Sequence, residues 1–248
     1  MAILRGLIFD VDGTLAETEE FHRIAFNDTF AQFNLNWTWD RDLYLDLLRV
    51  TGGKERILHY QRSYLHEPEM SVERVKELHE YKSQRYDQYV SQGRVTLRPG
   101  IERIIYEALS QDIALAIATT TSLSNVECLL RSTLGDQSLG YFRVIAAGDM
   151  VSNKKPSPEI YDLALSLLDM APDEVVAIED SRNGLVSALG ANIITVITLS
   201  EFSLDLNMDG AIAVVDCLGD TQCPSSLIQG RDQNLKILDL DWFRSLVE

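Results

Sequence analysis

The chain has 248 residues, of which 46% are hydrophobic and 24% charged, a composition and length that suit a folded core domain with a smaller insert. Its formal net charge of -16 excludes a nucleic-acid partner, because binding to phosphate backbones needs clustered lysine and arginine. The same charge disfavours anionic membranes, and no apolar run approaches the roughly 20 residues that span a bilayer, so we expect no membrane partner.

The first part of the chain predicts one strand and then only helices. Residues 4–9 end in an apolar run typical of a buried strand, and a polar turn follows at 10–14. Amphipathic spacing predicts helices at 17–33, 40–50, 54–64 and 71–92. We therefore predict one all-helical block at 17–92, with Trp37 and Trp39 packed inside it.

Beyond residue 93 the pattern alternates between helix and strand. Helices are predicted at 101–109, 125–134, 158–168 and 184–190. Strands are predicted at 113–118, 142–146, 175–178, 193–197 and 211–215. Apolar strands that alternate with helices indicate an α/β fold with a parallel sheet covered on both faces. We assign 1–16 and 93–248 to this core, with a loop at 224–234 and a short docking helix at 237–247.

The cysteines and the amino terminus predict where the protein resides. The three cysteines form no CxxC pair and no metal-ligand spacing, which fits a reducing compartment. The chain runs directly into its first strand and leaves no room for a signal segment. We expect a cytoplasmic monomer, or a protein of an organelle stroma if a presequence was removed.

Two aspartates follow the first predicted strand. Asp10 and Asp12 are two residues apart, so both side chains can project into one crevice. Carboxylates this close repel each other unless a cation neutralises them, which makes both candidate metal ligands, or unless one holds a proton. These alternatives suggest two roles, in which one carboxylate attacks phosphorus and the other transfers protons.

Three later segments offer groups that complement the aspartates. Thr119 and the backbone N–H groups of Thr120 and Thr121 follow the second strand and could hold phosphoryl oxygens. Lys155 supplies a positive charge for the transferring group. Glu179 and Asp180 supply carboxylate oxygens, and the absence of His or Cys beside them favours Mg²⁺ over Zn²⁺.

These segments resemble the four motifs of the haloacid-dehalogenase-like (HAD) hydrolase superfamily, in the same order. Residues 9–15, Phe-Asp-Val-Asp-Gly-Thr-Leu, are similar to the first motif, and Thr119, Lys155-Pro156 and residues 179–181 to the others. The resemblance implies a Rossmann-like core with a doubly wound parallel sheet and an inserted α-helical cap domain at 17–92. It also implies Asp10 as nucleophile, Asp12 as acid and base, and Asp10 with Asp180 as Mg²⁺ ligands. The dehalogenase branch lacks a second aspartate, so Asp12 indicates a phosphatase.

A closer resemblance links the chain to the CbbY-like sugar-phosphate phosphatases. It is carried by residues 12–19, 51–55, 119–122 and 146–151. This group includes enzymes that destroy xylulose 1,5-bisphosphate, so the resemblance implies a small sugar phosphate as the substrate. The related β-phosphoglucomutases carry a different cap loop in place of 51–55, which ranks a phosphosugar mutase second.

The cap would then select the substrate. Gly52 and Gly53 allow backbone N–H groups to approach an anion, and Lys54 adds charge. By resemblance, His79 and Lys82 hold a second phosphate and Glu17 binds sugar hydroxyls.

Lysine placement supports an anionic substrate, since four of the chain's six lysines, counting Lys154, fall at the predicted site. We interpret His22 as a structural or surface histidine. A third hypothesis is a phosphoacceptor signalling protein without turnover. Such modules have about half this length and lack a large insert, which counts against that hypothesis.

Overall fold

A computed structural model describes residues 3–203, 207–231 and 235–247. Its strands are β1 (Gly6–Phe9), β2 (Ala114–Ala118), β3 (Phe142–Ala146), β4 (Val175–Glu179), β5 (Ile194–Thr198), β6 (Ala213–Val215) and β7 (Leu227–Gln229). Its α-helices are α1 (Glu19–Gln32), α2 (Arg41–Leu47), α3 (Gly53–Tyr60), α4 (Val72–Ser91), α5 (Ile101–Ser110), α6 (Leu123–Leu134), α7 (Glu159–Leu168), α8 (Arg182–Gly190) and α9 (Leu240–Arg244).

The strands form one sheet in the order β3-β2-β1-β4-β5-β6-β7, with β1 between β2 and β4. All neighbours are parallel except β6 and β7. Phe9 at the end of β1 lies opposite Ile117 of β2 and Ile178 of β4, so these three strands end level with one another. The strand order reverses at β1, and such switch points place a crevice at the carboxyl edge of the sheet.

Both faces of the sheet are buried, as the apolar strands predict. Leu7 and Phe9 of β1 belong to one hydrophobic cluster, while Ile8 between them belongs to the cluster on the opposite face. The predicted α/β fold with a doubly wound, mostly parallel sheet is confirmed.

Two helices begin immediately beyond the polar strand ends because serine caps start them. Ser122 Oγ accepts from the Asn125 N–H at 3.4 Å at the start of α6, and Ser181 Oγ accepts from the Gly184 N–H at 3.1 Å at the start of α8. The polar residues that precede α6 and α8 are thereby held at the carboxyl edge of the sheet.

Helices α1 to α4 form the helical block between β1 and β2. Its aromatic core includes Phe26, Phe30, Trp39 and Tyr44, with Trp37 against it, so the predicted packing of the two tryptophans is confirmed. The last turns of α4 do not pack into this aromatic core. Tyr86, Tyr89 and Val90 belong to the cluster that covers the sheet. The division into a core and a 17–92 cap therefore stays a prediction.

The carboxyl-terminal segment departs most from expectation. The predicted loop at 224–234 is wrong at Leu227–Gln229, which forms β7, and residues 232–234 lie outside the described part of the chain. The predicted docking helix exists as the shorter α9, whose Leu240 and Phe243 are buried. Among the described residues, no helix has both the length and the apolar character required to cross a membrane.

Candidate active site

Asp10 lies at the centre of the carboxyl edge. Its backbone N–H donates to Ile178 O at 3.0 Å, so the residue continues β1. The buried Oδ1 lies 2.6 Å from Lys155 Nζ, which is also 2.5 Å from Glu179 Oε1 and donates to Ala118 O at 2.8 Å. A single ammonium group therefore joins the ends of β1, β2 and β4.

Three buried carboxylates meet around this point. Asp10, Glu179 and Asp180 each offer an oxygen atom, and these atoms lie within 4.8 Å of one another. Tyr161 Oη donates to Glu179 at 2.7 Å and Ser200 Oγ to Asp180 at 3.0 Å, which orients both groups. This arrangement brings together three of the residues predicted to bind metal.

The charge balance of this group fits a divalent cation. Burial raises the pKa of Asp10 to about 8, although Lys155 opposes the shift, and burial together with Asp10 and Glu179 raises the pKa of Asp180 well above its usual value. Asp10 and Asp180 thus lack sufficient positive charge nearby for both of their carboxyl groups to ionise together. Their oxygen donors match the preference of Mg²⁺, so the residues fit the predicted ion.

Asp12 lies outside this group of three. Its Oδ1 accepts from Thr18 Oγ1 at 2.5 Å and lies 3.0 Å from His22 Nε2. Lys82 Nζ is 2.6 Å from His22 Nδ1, and an ammonium can only donate, so the imidazole proton is on Nε2 and faces Asp12. Burial raises the pKa of Asp12, but His22, Thr18 and Lys82 outweigh burial and lower it to about 2. The metal role predicted for Asp12 stays a prediction.

His22 is a buried histidine whose two ring nitrogens contact Asp12 and Lys82, which agrees with a structural histidine and not with a surface one, and it borders the second cavity. Thr18 and His22 are four residues apart at the start of α1, so both face Asp12. That spacing was the available sequence signal. Lys82, the group that fixes the histidine tautomer, comes from a different helix.

The segment after β2 closes the site on the other side. Thr119 N–H donates to Ala146 O at 3.0 Å, and its Oγ1 accepts from the Thr121 N–H at 3.3 Å. Asn125 Nδ2 donates to Thr121 Oγ1 at 3.3 Å. Thr120 faces the open space above Asp10. The predicted threonines therefore lie in a loop that borders the carboxylates.

Two adjoining cavities of about 240 and 350 Å³ lie between the sheet edge and the helical block. Both are bordered by Asp12, Glu19, Gly52, Arg56 and Thr120. The first adds Asp10, Lys155 and Asp180. The second adds Gly53, Lys54, His79, Lys82, Thr121 and Lys154.

Glu19 and Arg56 were not predicted as site residues. Arg56 is buried and donates to Tyr44 Oη at 3.0 Å, and Tyr44 Oη donates to Glu19 at 2.7 Å. This chain of contacts holds both side chains at the cavity wall.

Ion pairs connect the loop before α3 to the core. Gly52 has φ +99°, a conformation that favours glycine, and a side chain there would collide with the Glu55 carboxylate. Lys54 Nζ lies 2.6 Å from Asp149 Oδ2, and Lys154 Nζ lies 3.0 Å from Asp149 Oδ1. Lys54, predicted to bind substrate, and Lys154, counted only among the lysines near the site, thus meet one carboxylate in the second cavity.

Two predicted substrate residues have unexpected surroundings. Burial and the neighbouring lysines lower the pKa of His79 to about 3, so the imidazole is neutral and offers hydrogen bonds rather than charge. Glu17 borders a separate groove, and its Oε1 lies 3.0 Å from Arg98 Nε. The structure does not bring Glu17 to the walls of the two cavities, and its contact with sugar hydroxyls stays a prediction.

The model of a protein family described as haloacid dehalogenase-like hydrolase matches residues 7–198. The chain belongs to this hydrolase family. Protein CbbY of Cereibacter sphaeroides is 45% identical over 218 residues, which cover 88% of this chain and 94% of that relative.

Two solved structures of CbbY from Rhodobacter sphaeroides are similar to this member of the hydrolase family. One, in complex with phosphate, has 46% identity and a TM-score of 0.82 and covers 87% of this chain and 95% of that chain. The other is an Asp-to-Asn mutant in complex with xylulose 1,5-bisphosphate. It has 45% identity and a TM-score of 0.83, and the match covers 89% of this chain and 98% of that chain.

These comparisons confirm the resemblance to CbbY-like members of the hydrolase family and the prediction of a phosphatase. The hypothesis of a signalling module without turnover is therefore set aside.

Proposed function

We propose that the protein is a Mg²⁺-dependent phosphatase that hydrolyses sugar phosphates through a phosphorylated Asp10. The observation that carries this proposal is the meeting of three buried carboxylates and the ammonium of Lys155 at one edge of the sheet. Asp10 and Asp180 would hold Mg²⁺, with Glu179 beside them. When bound, the ion supplies positive charge next to the transferring phosphoryl group.

The chemistry of the chain's own residues has two steps. First, a carboxylate oxygen of Asp10 bonds to phosphorus while the bond from phosphorus to the sugar oxygen breaks, and Asp12 gives that oxygen a proton. Next, Asp12 takes a proton from water, the water oxygen bonds to phosphorus, and the Asp10–phosphorus bond breaks. One water molecule thus converts one phosphate ester to an alcohol and inorganic phosphate.

Asp12 can acquire the proton that the first step requires when substrate arrives. In the free site its pKa is about 2, so the carboxyl group is ionised. A phosphate dianion near Asp12 raises this pKa, because like charges favour the protonated carboxyl. The proton itself comes from solvent as substrate binds, because the neutral imidazole of His22 keeps its Nε2 proton and only donates a hydrogen bond to Asp12.

We further propose a sugar bisphosphate as the substrate, with xylulose 1,5-bisphosphate as the first candidate. The bound ligand of the similar CbbY mutant supports this proposal. So does the second cavity, where Lys54 and Lys154 supply charge apart from Lys155. One phosphate would lie at Asp10 and the other near these two lysines.

A panel of sugar mono- and bisphosphates, assayed with and without Mg²⁺, tests the proposed function. We expect xylulose 1,5-bisphosphate to have the highest kcat/KM and to release inorganic phosphate in equal amount to the substrate lost. A phosphosugar mutase would instead consume substrate without stoichiometric phosphate release. That result, or full turnover in excess chelator, would contradict the proposal.

Removing Mg²⁺ should lower both activity and stability. A ligand that binds only the folded state at 100 times its Kd stabilises by about 2.7 kcal/mol, so saturating Mg²⁺ should raise the thermal midpoint by several degrees. Differential scanning fluorimetry with EDTA and then Mg²⁺ measures this shift. Asp180→Asn is the matched variant and should lose it. An equal shift in that variant would exclude Asp180 as a ligand.

Lys54→Ala should raise KM for sugar bisphosphates by about tenfold and for monophosphates by about twofold, because a charge-assisted hydrogen bond to the second phosphate is lost. The control is Lys76→Ala, whose exposed ammonium pairs only weakly with Glu80 at 3.7 Å. Steady-state kinetics on both substrate classes provide the comparison. Equal increases in KM for both classes would exclude a second-phosphate role.

A further inference from the structure

Arg98 is a buried arginine in the linker that returns from α4 to the core. Its Nη1 donates to Gly13 O and also to Thr198 O at 3.0 Å. Its Nη2 donates at 2.6 Å to both Leu199 O and Asp216 O. The guanidinium thus binds main-chain carbonyls from the turn after β1, the end of β5 and the residue after β6.

The same residue joins the two linkers between the core and the helical block. Arg98 Nε lies 3.0 Å from Glu17 Oε1, and its backbone N–H donates to Leu15 O at 2.9 Å. Next to it, Ala16 and Leu97 form an antiparallel bridge. Arg98 therefore fastens the segment that leaves the sheet edge to the segment that returns to it.

Gly13 connects this clamp to the acid and base of the proposed mechanism. It directly follows Asp12, and its φ of +83° turns the chain sharply. A side chain at Gly13 would collide with the Asp180 carboxylate and contact Ser200, so the turn already lies against the carboxylate group. The hydrogen bond from Arg98 to Gly13 O fixes the Gly13–Thr14 peptide unit, which directly follows the peptide unit that joins Asp12 to Gly13.

We propose that Arg98 is a positioning residue that fixes the direction of the Asp12 carboxyl group by clamping the Gly13 carbonyl to the ends of β5 and β6. This inference rests on the proposed function, in which Asp12 protonates the leaving oxygen. Arg98 does not border either cavity above Asp10, so its effect on the reaction runs through the turn rather than through the substrate.

A comparison of substrates with different leaving groups shows whether Arg98 positions Asp12 or only stabilises the fold. A sugar alkoxide needs a proton to depart, whereas p-nitrophenolate departs without one. The ratio kcat/KM reports steps up to the release of the leaving group, so it isolates the first step of the mechanism. Arg98→Lys keeps the charge but cannot bridge several carbonyls in a planar fork.

We expect Arg98→Lys to lower kcat/KM about 100-fold for the sugar phosphate turned over fastest in the panel, and less than about fivefold for p-nitrophenyl phosphate. Asp12→Asn should show the same selective loss. In the Arg98→Lys/Asp12→Asn double variant the losses should not multiply, because both substitutions remove one function. Equal losses on both substrates, or multiplying losses, would overturn the proposal.

Arg103→Met is the control variant. It removes another guanidinium that binds main-chain carbonyls, so it shows what such a loss does to stability alone. Arg103 donates to Gly219 O at 3.1 Å, Leu218 O at 3.2 Å and Leu238 O at 3.0 Å, none of which belongs to the turn that carries Asp12 and Gly13. This variant should lower the thermal midpoint yet keep the leaving-group dependence of the parent. If Asp12→Asn itself shows no selective loss, the acid role in the proposed function fails. If only Arg98→Lys lacks the selective loss, the positioning role alone fails.

Discussion

Asp10→Asn should abolish phosphate release, with a loss of about 10⁴-fold or more, because an amide oxygen cannot form the phosphoryl intermediate. The substitution keeps the shape of the side chain. Folding should survive, because Lys155 retains its contact with Glu179 at 2.5 Å and one buried charge that burial disfavours is removed. The expected variant is thus folded, binds substrate and does not turn it over.

Released phosphate, near-ultraviolet circular dichroism and the thermal midpoint measure these outcomes together. Substrate should still raise the thermal midpoint of the variant, because the lysines and the cavity walls that would bind the rest of the substrate are intact. Asp28→Asn is the matched control, since Asp28 pairs with Arg85 at 2.7 Å within the helical block. That control should keep its activity. Activity in Asp10→Asn within tenfold of the parent would remove the proposed mechanism.

The sequence predicted the centre of the site well because a simple geometric rule applies there. In a parallel sheet, residues that follow adjacent strands meet at one edge, whatever their separation along the chain. Asp10, Thr119, Glu179 and Asp180 each follow a strand that the apolar pattern identified. The structure brings the three carboxylates together, and Thr120, next to Thr119, borders the same cavity. Lys155 lies in a turn between β3 and α7, so the strand-end rule does not place it, and only its positive charge made it a candidate.

Residues that depend on packing between helices could not be placed in the same way. The tautomer of His22 depends on Lys82, which lies in a different helix and contacts the Nδ1 atom of the histidine. The partner of Glu17 is Arg98 in the second linker, and nothing in the local pattern around Glu17 indicates that contact. The strand β7 was missed for a related reason. It has three residues at the edge of the sheet, and two of them are exposed.

Lys155→Met should both destabilise the protein and inactivate it. Lys155 is 5% exposed and faces Asp10 and Glu179, whose side chains are 9% and 1% exposed. Removing one partner of a buried ionic network typically costs about 3–5 kcal/mol, because the remaining charges stay buried without compensation. For a chain of this size, that loss corresponds to a thermal midpoint lower by roughly 10 °C. Activity should fall by a factor of about 10² or more, since the charge beside the phosphoryl group is lost.

The adjacent residue provides a sharp control for this prediction. Lys154 pairs with Asp149, whose side chain is 67% exposed, so Lys154→Met should cost no more than about 1 kcal/mol of stability. Urea unfolding of both variants in EDTA compares the two lysines without a contribution from Mg²⁺. A much larger loss of unfolding free energy for Lys155→Met than for Lys154→Met is expected because Lys155 neutralises buried carboxylates and Lys154 does not. Equal stability losses would show that Lys155 does not neutralise the carboxylate group, and the electrostatic basis of the proposed site would then fail.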